Sequence, residues 1–376
     1  MFGPLKRLVV GQPIASHHAD HHRFGLFGGL AVLSSDALSS VAYATEEVLR
    51  VLMLGGVAAL SLGQPISLLI ATLLLIVVFS YRQTIQAYPG GGGAYIVARD
   101  NLGPTFGLAA AAALLIDYTL TVAVSIAAGV SAITSAVPSL HVNRVVLSLG
   151  FIGILMLGNL RGLRESTKLF GIPVYAFVGV MAALVLAGAY QVMTGTAVPV
   201  ITTDPLPTLG TGSITLFVLL SAFANGCTAM TGVEAVSDGV PAFKAPSAQT
   251  ATRTLGLMAV LAIAMFTGIS YLAHAYQIVP SESETVVSQI ARGVFGGRNL
   301  AYYVVQGVTM LILVLAANTA FADFPRLASI VARDLRHDRF ALTRHDLVGM
   351  REIADAGEHR DREHRHQSQR ARCGLR

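Results

Sequence analysis

From residue 25 to residue 321 the chain offers one apolar run after another, and that repetition constrains its fold more than any motif. A helix needs about 20 predominantly apolar residues to cross about 30 Å of hydrocarbon. Eight stretches read as spans: 25–60, 65–81, 103–138, 145–157, 169–192, 213–240, 255–276 and 300–321. Only 12% of the 376 residues are charged, against about 25% in ordinary globular chains. Lipid offers no partners for backbone N–H and C=O groups, so spans form helices or closed barrels. Runs of this length predict an all-α polytopic membrane protein with about eight transmembrane helices. The chain has no Trp, which leaves Tyr and Phe for any interfacial belt.

Three of the runs carry polar groups that anchoring alone does not need. The first contains Leu33-Ser-Ser-Asp36-Ala-Leu-Ser-Ser40-Val-Ala-Tyr43-Ala-Thr-Glu46-Glu47. An ionisable group at membrane depth costs about 2.5–3.5 kcal/mol on insertion scales and usually marks an ion or substrate path. At helical spacing Asp36, Ser40, Tyr43 and Glu47 share one face. Ser34 to Asp36 can also leave the helix, because hydroxyls and carboxylates compete for backbone bonds. The sixth run repeats the oddity in Asn225-Gly-Cys-Thr-Ala-Met-Thr231-Gly232-Val-Glu234-Ala-Val-Ser-Asp238-Gly239. Thr231, Glu234 and Asp238 would lie on one helical face. The third run has Asp117, Thr121 and Ser125 at i, i+4 and i+8, beside Tyr118. Packing of polar faces against neighbouring helices is the plainer explanation. Interruptions at corresponding places in two halves are instead a sequence pointer to a transporter's binding site.

Other features are weighed in turn. Tyr88-Pro-Gly-Gly-Gly-Gly-Ala-Tyr95 lacks the Gly-Lys-Ser/Thr of a phosphate loop and reads as a tight turn where helices approach closely. His17, His18, His21 and His22 have no metal-ligand spacing and read as a solvated flank. Cys227 and Cys373 belong to no CxxC, which argues against a disulfide framework or zinc site. The first 25 residues lack a signal-peptide core. With the N-terminus in the cytoplasm, Lys6, Arg7, Arg23, Arg82, Arg99, Arg161, Arg164, Lys168, Lys244 and Arg253 lie inside. Arg50, Arg144, Arg292 and Arg298 then lie outside. Ten against four favours this orientation. The net charge of +5 thus reads as a topology signal, not a nucleic-acid footprint. Loop 159–168 is expected in the cytoplasm and loop 194–211 outside. Residues 326–376 hold 12 of the 26 Lys/Arg and 5 of the 11 His. They read as a disordered or loosely helical tail, either regulatory or the product of a shifted reading frame.

Together, the 33–47, 88–95, 116–121 and 231–237 motifs resemble the amino acid–polyamine–organocation transporter superfamily. The nearest branch is that of the bacterial permeases that include KimA-type potassium–proton symporters. The resemblance covers roughly residues 25–332. It implies a LeuT-like fold of two inverted five-helix repeats, here 25–193 and a partial second repeat at 213–325. These lie within a transporter domain at 25–330, between a cytoplasmic segment at 1–24 and a tail at 331–376. It implies potassium near Asp36, Tyr43, Asp117, Tyr118, Thr121, Ser125, Thr231 and Glu234, with protons co-transported and no cofactor. Hydroxyls, carboxylates and carbonyls freed at helix breaks could replace a hydration shell, and tyrosine rings add cation–π attraction. Glu234 or one of the aspartates would carry the proton. An amino-acid–proton symporter is the alternative. An intramembrane aspartyl protease is disfavoured, because Asp117-Tyr118 reverses the required Tyr-Asp order, so no enzyme activity is expected. Expected partners are the ion or a small-molecule substrate and the lipid bilayer of the plasma membrane, with no nucleic acid; a homodimer is allowed. Family spans from the ninth onward have no counterpart here, and on that basis the chain is expected to insert without transporting.

Overall fold

The computed structural model describes residues 23–160, 167–200, 214–321, 323–325 and 327–334, with side chains in the second stretch from residue 171. The histidine cluster at 17–22, the basic loop at 161–166, the segment 201–211 and the tail beyond 334 lie outside these residues. So do the expectations attached to them.

Among the described residues every regular element is helical, apart from one isolated bridge between Phe24 and Phe243. Seven segments are long and apolar enough to span a membrane: Val57–Ala87, Pro104–Ala136, Pro138–Leu160, Gly171–Met193, Leu216–Asp238, Ser247–Ala275 and Leu300–Asp334. The remaining expected span, 25–60, is cut into α1 Leu26–Leu33, α2 Ser35–Ser39 and α3 Val41–Leu52, each too short to cross by itself. The protein is an all-α polytopic membrane protein. The chain divides into two units between Phe324 and Pro325, and the site described below lies in the first.

The later helices are α4 Gly63–Ala87, α5 Gly93–Leu102, α6 Pro104–Ala136, α7 Arg144–Leu160 and α8 Thr167–Met193. They continue with α9 Leu216–Gly226, α10 Ala235–Asp238, α11 Ser247–Ala275, α12 Val286–Val294 and α13 at 300–321. Local chemistry sets several of their starts. Pro104 opens α6, where its missing N–H is harmless. The Thr215 and Thr285 hydroxyls accept from Val218 N and Ser288 N, capping α9 and α12.

The interrupted first run is the centre of the molecule. Every residue from Gly29 to Glu46 is buried. α1 packs on α8 and α11, and α3 packs on α9. α4 lies along α11, and α6 along α5 and α7. By contrast α7 fully buries a single residue, Leu155, and leaves Val145, Val146, Leu149, Ile154, Met156 and Leu157 exposed for lipid. A run that carries two carboxyls and six hydroxyls is therefore enclosed by protein, whereas a mostly apolar helix sits at the edge. That is the order expected when hydrocarbon is the outer solvent.

Candidate functional site

The two interrupted runs meet. Where the contact begins, Phe24 N donates to Ala242 O and Lys244 N to Phe24 O, both at 2.8 Å, an isolated parallel bridge; beyond it the runs pass antiparallel. The Phe243 ring covers Gly29. Further along, Leu33 lies against Gly239, Asp36 against Gly232, Ser40 against Ala229 and Val48 against Gly226. Numbers rise on one run as they fall on the other.

Each run breaks for a local reason. In the first, Ser34 leaves helical geometry at φ −113°, ψ 2°. The Ser39 and Ser40 hydroxyls then donate to the Asp36 and Ala37 carbonyls, both at 2.9 Å. Ser40 Oγ also reaches Ala229 O across the interface at 3.3 Å. In the second, α9 gives way to a 3-10 turn at Cys227–Met230 and then to an extended Thr231 at φ −58°, ψ 140°. Gly232 follows at φ +79°, a conformation that side chains with a Cβ rarely adopt. A Cβ there would lie 2.7 Å from Asp36 Oδ2, so the second break is seated directly on the Asp36 carboxyl.

The tetraglycine turn covers the same region. Gly91, Gly92 and Gly93 all have positive φ. A Cβ on Gly91 would lie 2.5 Å from Asp238 O, and one on Gly93 would collide with Asp238 Oδ1. Tyr118 OH donates to Asp238 Oδ2 at 3.3 Å from the other side. The expected helical face of Thr231, Glu234 and Asp238 therefore does not exist, because residues 231–234 are not helical. Asp238 turns to the glycine loop and Tyr118, while Glu234 is buried at the break. The stripe expected on the first run is likewise divided. Asp36 faces Gly232 and Ser40 faces Ala229, while Tyr43 and Glu47 line a separate chamber.

The remaining expected residues fall into place around this junction. Tyr118, Thr121 and Ser125 are buried on α6, and Asp117 is half-buried one residue before them. Thr231 is half-buried in the break itself. Asp117 lies within electrostatic range of Asp36, Tyr43 and Glu234. Asp36 and Glu234 are only 5% and 8% exposed. Five oxygens there and on the adjoining face of α6 are buried without a hydrogen-bond partner: Ser34 Oγ, Asp36 Oδ1, Ser125 Oγ, Thr228 Oγ1 and Glu234 Oε1. More than nine in ten buried polar groups are normally paired. Unpaired acceptors from carboxylates and hydroxyls suit a cation that exchanges water for protein oxygens. Among the described residues no three His, Cys, Asp or Glu side chains cluster as a metal site.

Two groups escaped sequence reasoning. Asp323 lies within electrostatic range of Asp36 and Tyr118. Its place at the end of the last apolar run was the available signal. Thr319 on α13 bonds Ser35 at 3.0 Å, and Asn318 accepts from Asn159 at 2.8 Å, joining α13 to the first break and to α7. A cavity of about 630 Å³ between α3, α4 and α11 holds neither Asp36 nor Glu234.

Comparison with known proteins agrees with this architecture. The amino acid permease family matches residues 24–335. The potassium transporter KimA of Bacillus subtilis (strain 168) is 49% identical over 349 residues, which is 93% of this chain and 57% of that protein. The chain thus spans little more than half the length of that relative. The match runs from Phe24, where the two interrupted helices first touch, through both breaks and α13, and the chain belongs to the amino acid permease family.

Proposed function

We propose that the protein is a secondary transporter that carries potassium together with protons across the plasma membrane, and that it is not an enzyme and uses no cofactor. One observation carries the reading: a buried, partly unpaired Asp36 carboxyl faces the Gly232 break of a second interrupted helix. A carboxyl at that place can pair with a cation, whereas a substrate carboxylate would be repelled by its charged form. The name of the KimA relative supports potassium. In this reading Asp36, Asp117, Thr121, Ser125, Thr231 and Glu234 supply oxygens, and Tyr43 and Tyr118 supply ring faces. Glu234, one of whose oxygens is unpaired, carries the proton. The antiparallel contact of the two broken helices supports an inverted-repeat origin, with alternating access arising from movement of one repeat against the other. The charge bias supports a cytoplasmic N-terminus.

The family's own description, amino acid permease, favours a second reading as an amino-acid–proton symporter. Binding of rubidium-86 to membranes from cells expressing the chain separates the two. Displacement by potassium but not by an amino-acid panel is expected, and Asp36→Asn should weaken binding at least tenfold. In a strain lacking potassium uptake, rubidium accumulation by a form extended with the family's remaining helices should collapse on adding a protonophore. Saturable binding of an amino acid without rubidium binding would establish the alternative.

A further inference from the structure

A chamber of about 220 Å³ lies beside the junction, between α3, α6, α12 and α13, and Tyr43, Glu47, Arg50, Ser131 and Thr309 line it. Its charges resolve into pairs with one left over. Glu46 Oε1 accepts from Arg50 Nε at 3.0 Å and Nη2 at 2.7 Å, while Glu46 Oε2 accepts from Val286 N at 3.1 Å. Glu282 bridges Arg50 at 4.0 Å and Arg144 at 3.8 Å. Glu46 thus offsets Arg50, and Glu282 offsets Arg144. Glu47 makes no salt bridge among the described residues, so the chamber keeps one negative charge.

A second, independent feature lies in the wall. Thr309 is 4% exposed, and its Oγ1 is buried without a partner. Ser131 Oγ donates to Ala127 O at 2.9 Å, which leaves its lone pairs free to accept. Tyr43 stands between the two regions, within electrostatic range of Asp36 on one side and Glu47 on the other. A carboxylate, two hydroxyl oxygens and an aromatic face form a weak cation shell. A single net negative charge matches a monovalent ion, whereas divalent sites draw on several carboxylates.

We propose that this chamber is a second monovalent-cation site, held by Glu47 and Thr309, from which the ion passes Tyr43 to reach Asp36. The proposal rests on the cation-transport reading above, which also makes this the outer side. Conduction through sites in series requires each to bind weakly enough to release its ion. With a half-buried carboxylate that water still reaches, the outer site is the weaker of the two.

Equilibrium binding of rubidium-86 to the purified 376-residue protein tests it. The wild type is expected to bind at two resolvable affinities. Glu47→Gln should lose the weaker event, Thr309→Val should weaken that event at least tenfold, and Asp36→Asn should retain it while losing the tighter one. Wild-type binding number and affinities in both Glu47→Gln and Thr309→Val would overturn the outer site, even if Asp36→Asn loses an ion as expected. Loss of an ion in Glu47→Gln but none in Asp36→Asn would support the outer site and sink the Asp36 assignment. An absence of rubidium binding by the wild type would overturn both.

Discussion

Gly232 does two things that a side chain would make costly at that position. It takes a positive φ, and it brings backbone against the Asp36 carboxyl. A left-handed conformation costs a non-glycine residue about 1–2 kcal/mol. An added Cβ would also press on Asp36 Oδ2 from 2.7 Å. Gly232→Ala is therefore expected to insert normally but to bind rubidium at least tenfold more weakly. Gly226 provides the contrast, because it packs against Val48 and Ile70, away from the carboxyl. Unchanged rubidium binding in Gly232→Ala would mean that the second break does not shape the Asp36 environment. At this scale the sequence was informative about residue type. Asp36, Glu234 and the α6 stripe stand out because ionisable and hydroxyl groups are costly in lipid. It could not show that Asp238 is diverted to Tyr118 and the glycine loop, because helical periodicity was assumed across residues that are not helical.

At the scale of elements, α12 is held by charge at its N-terminal end as well as by its apolar face. Glu46 accepts from Val286 N at that end, where carboxylates are favoured by the helix dipole. Just before α12, Glu284 accepts from Ser288 Oγ at 3.0 Å and from Arg292 Nε at 3.2 Å, with Tyr302 OH and Arg298 close to the same carboxyl. Fully buried pairs lose about 3–5 kcal/mol when one partner is removed. Arg292 and Arg298 remain 30% and 38% exposed, so solvent screens part of that loss. Glu284→Ala is expected to lower stability in detergent by about 2 kcal/mol, given that screening. Thermal unfolding of variant and wild type checks this, and an unchanged midpoint would show that the Glu284 network does not hold α12. Glu284, Ser288 and Arg292 lie at i, i+4 and i+8, but the reach of Glu46 to Val286 spans 240 positions and no spacing shows it.

For the whole molecule, orientation is the property most open to a direct test. The ten-to-four distribution of Lys and Arg predicts a cytoplasmic N-terminus. In a background lacking Cys227 and Cys373, a cysteine at Thr196 should react with an impermeant thiol reagent in intact cells. One at Arg164 should react only after the membrane is opened. Labelling of position 164 in intact cells would reverse the assignment. It would also place the Glu47 chamber on the cytoplasmic side.

Sequence by itself determined the class of this protein, because long apolar runs leave the backbone only helical ways to cross lipid. It also determined that the first and sixth runs are unusual, because glycine, hydroxyl and carboxyl groups in an apolar run weaken the helix. The pairing of those two runs was decided by the tertiary structure. Backbone contact between Phe24 and Ala242 and seating of Gly232 on Asp36 join residues about 200 positions apart, and no local pattern encodes such a distance. The tertiary structure also decided which acids remain unpaired. Glu46 and Glu47 are adjacent, chemically alike and line the same chamber, yet Glu46 pairs with Arg50 and accepts from Val286 N while Glu47 makes no salt bridge among the described residues. That difference arises from the direction in which each side chain leaves α3, and only the packed neighbours give each direction its meaning.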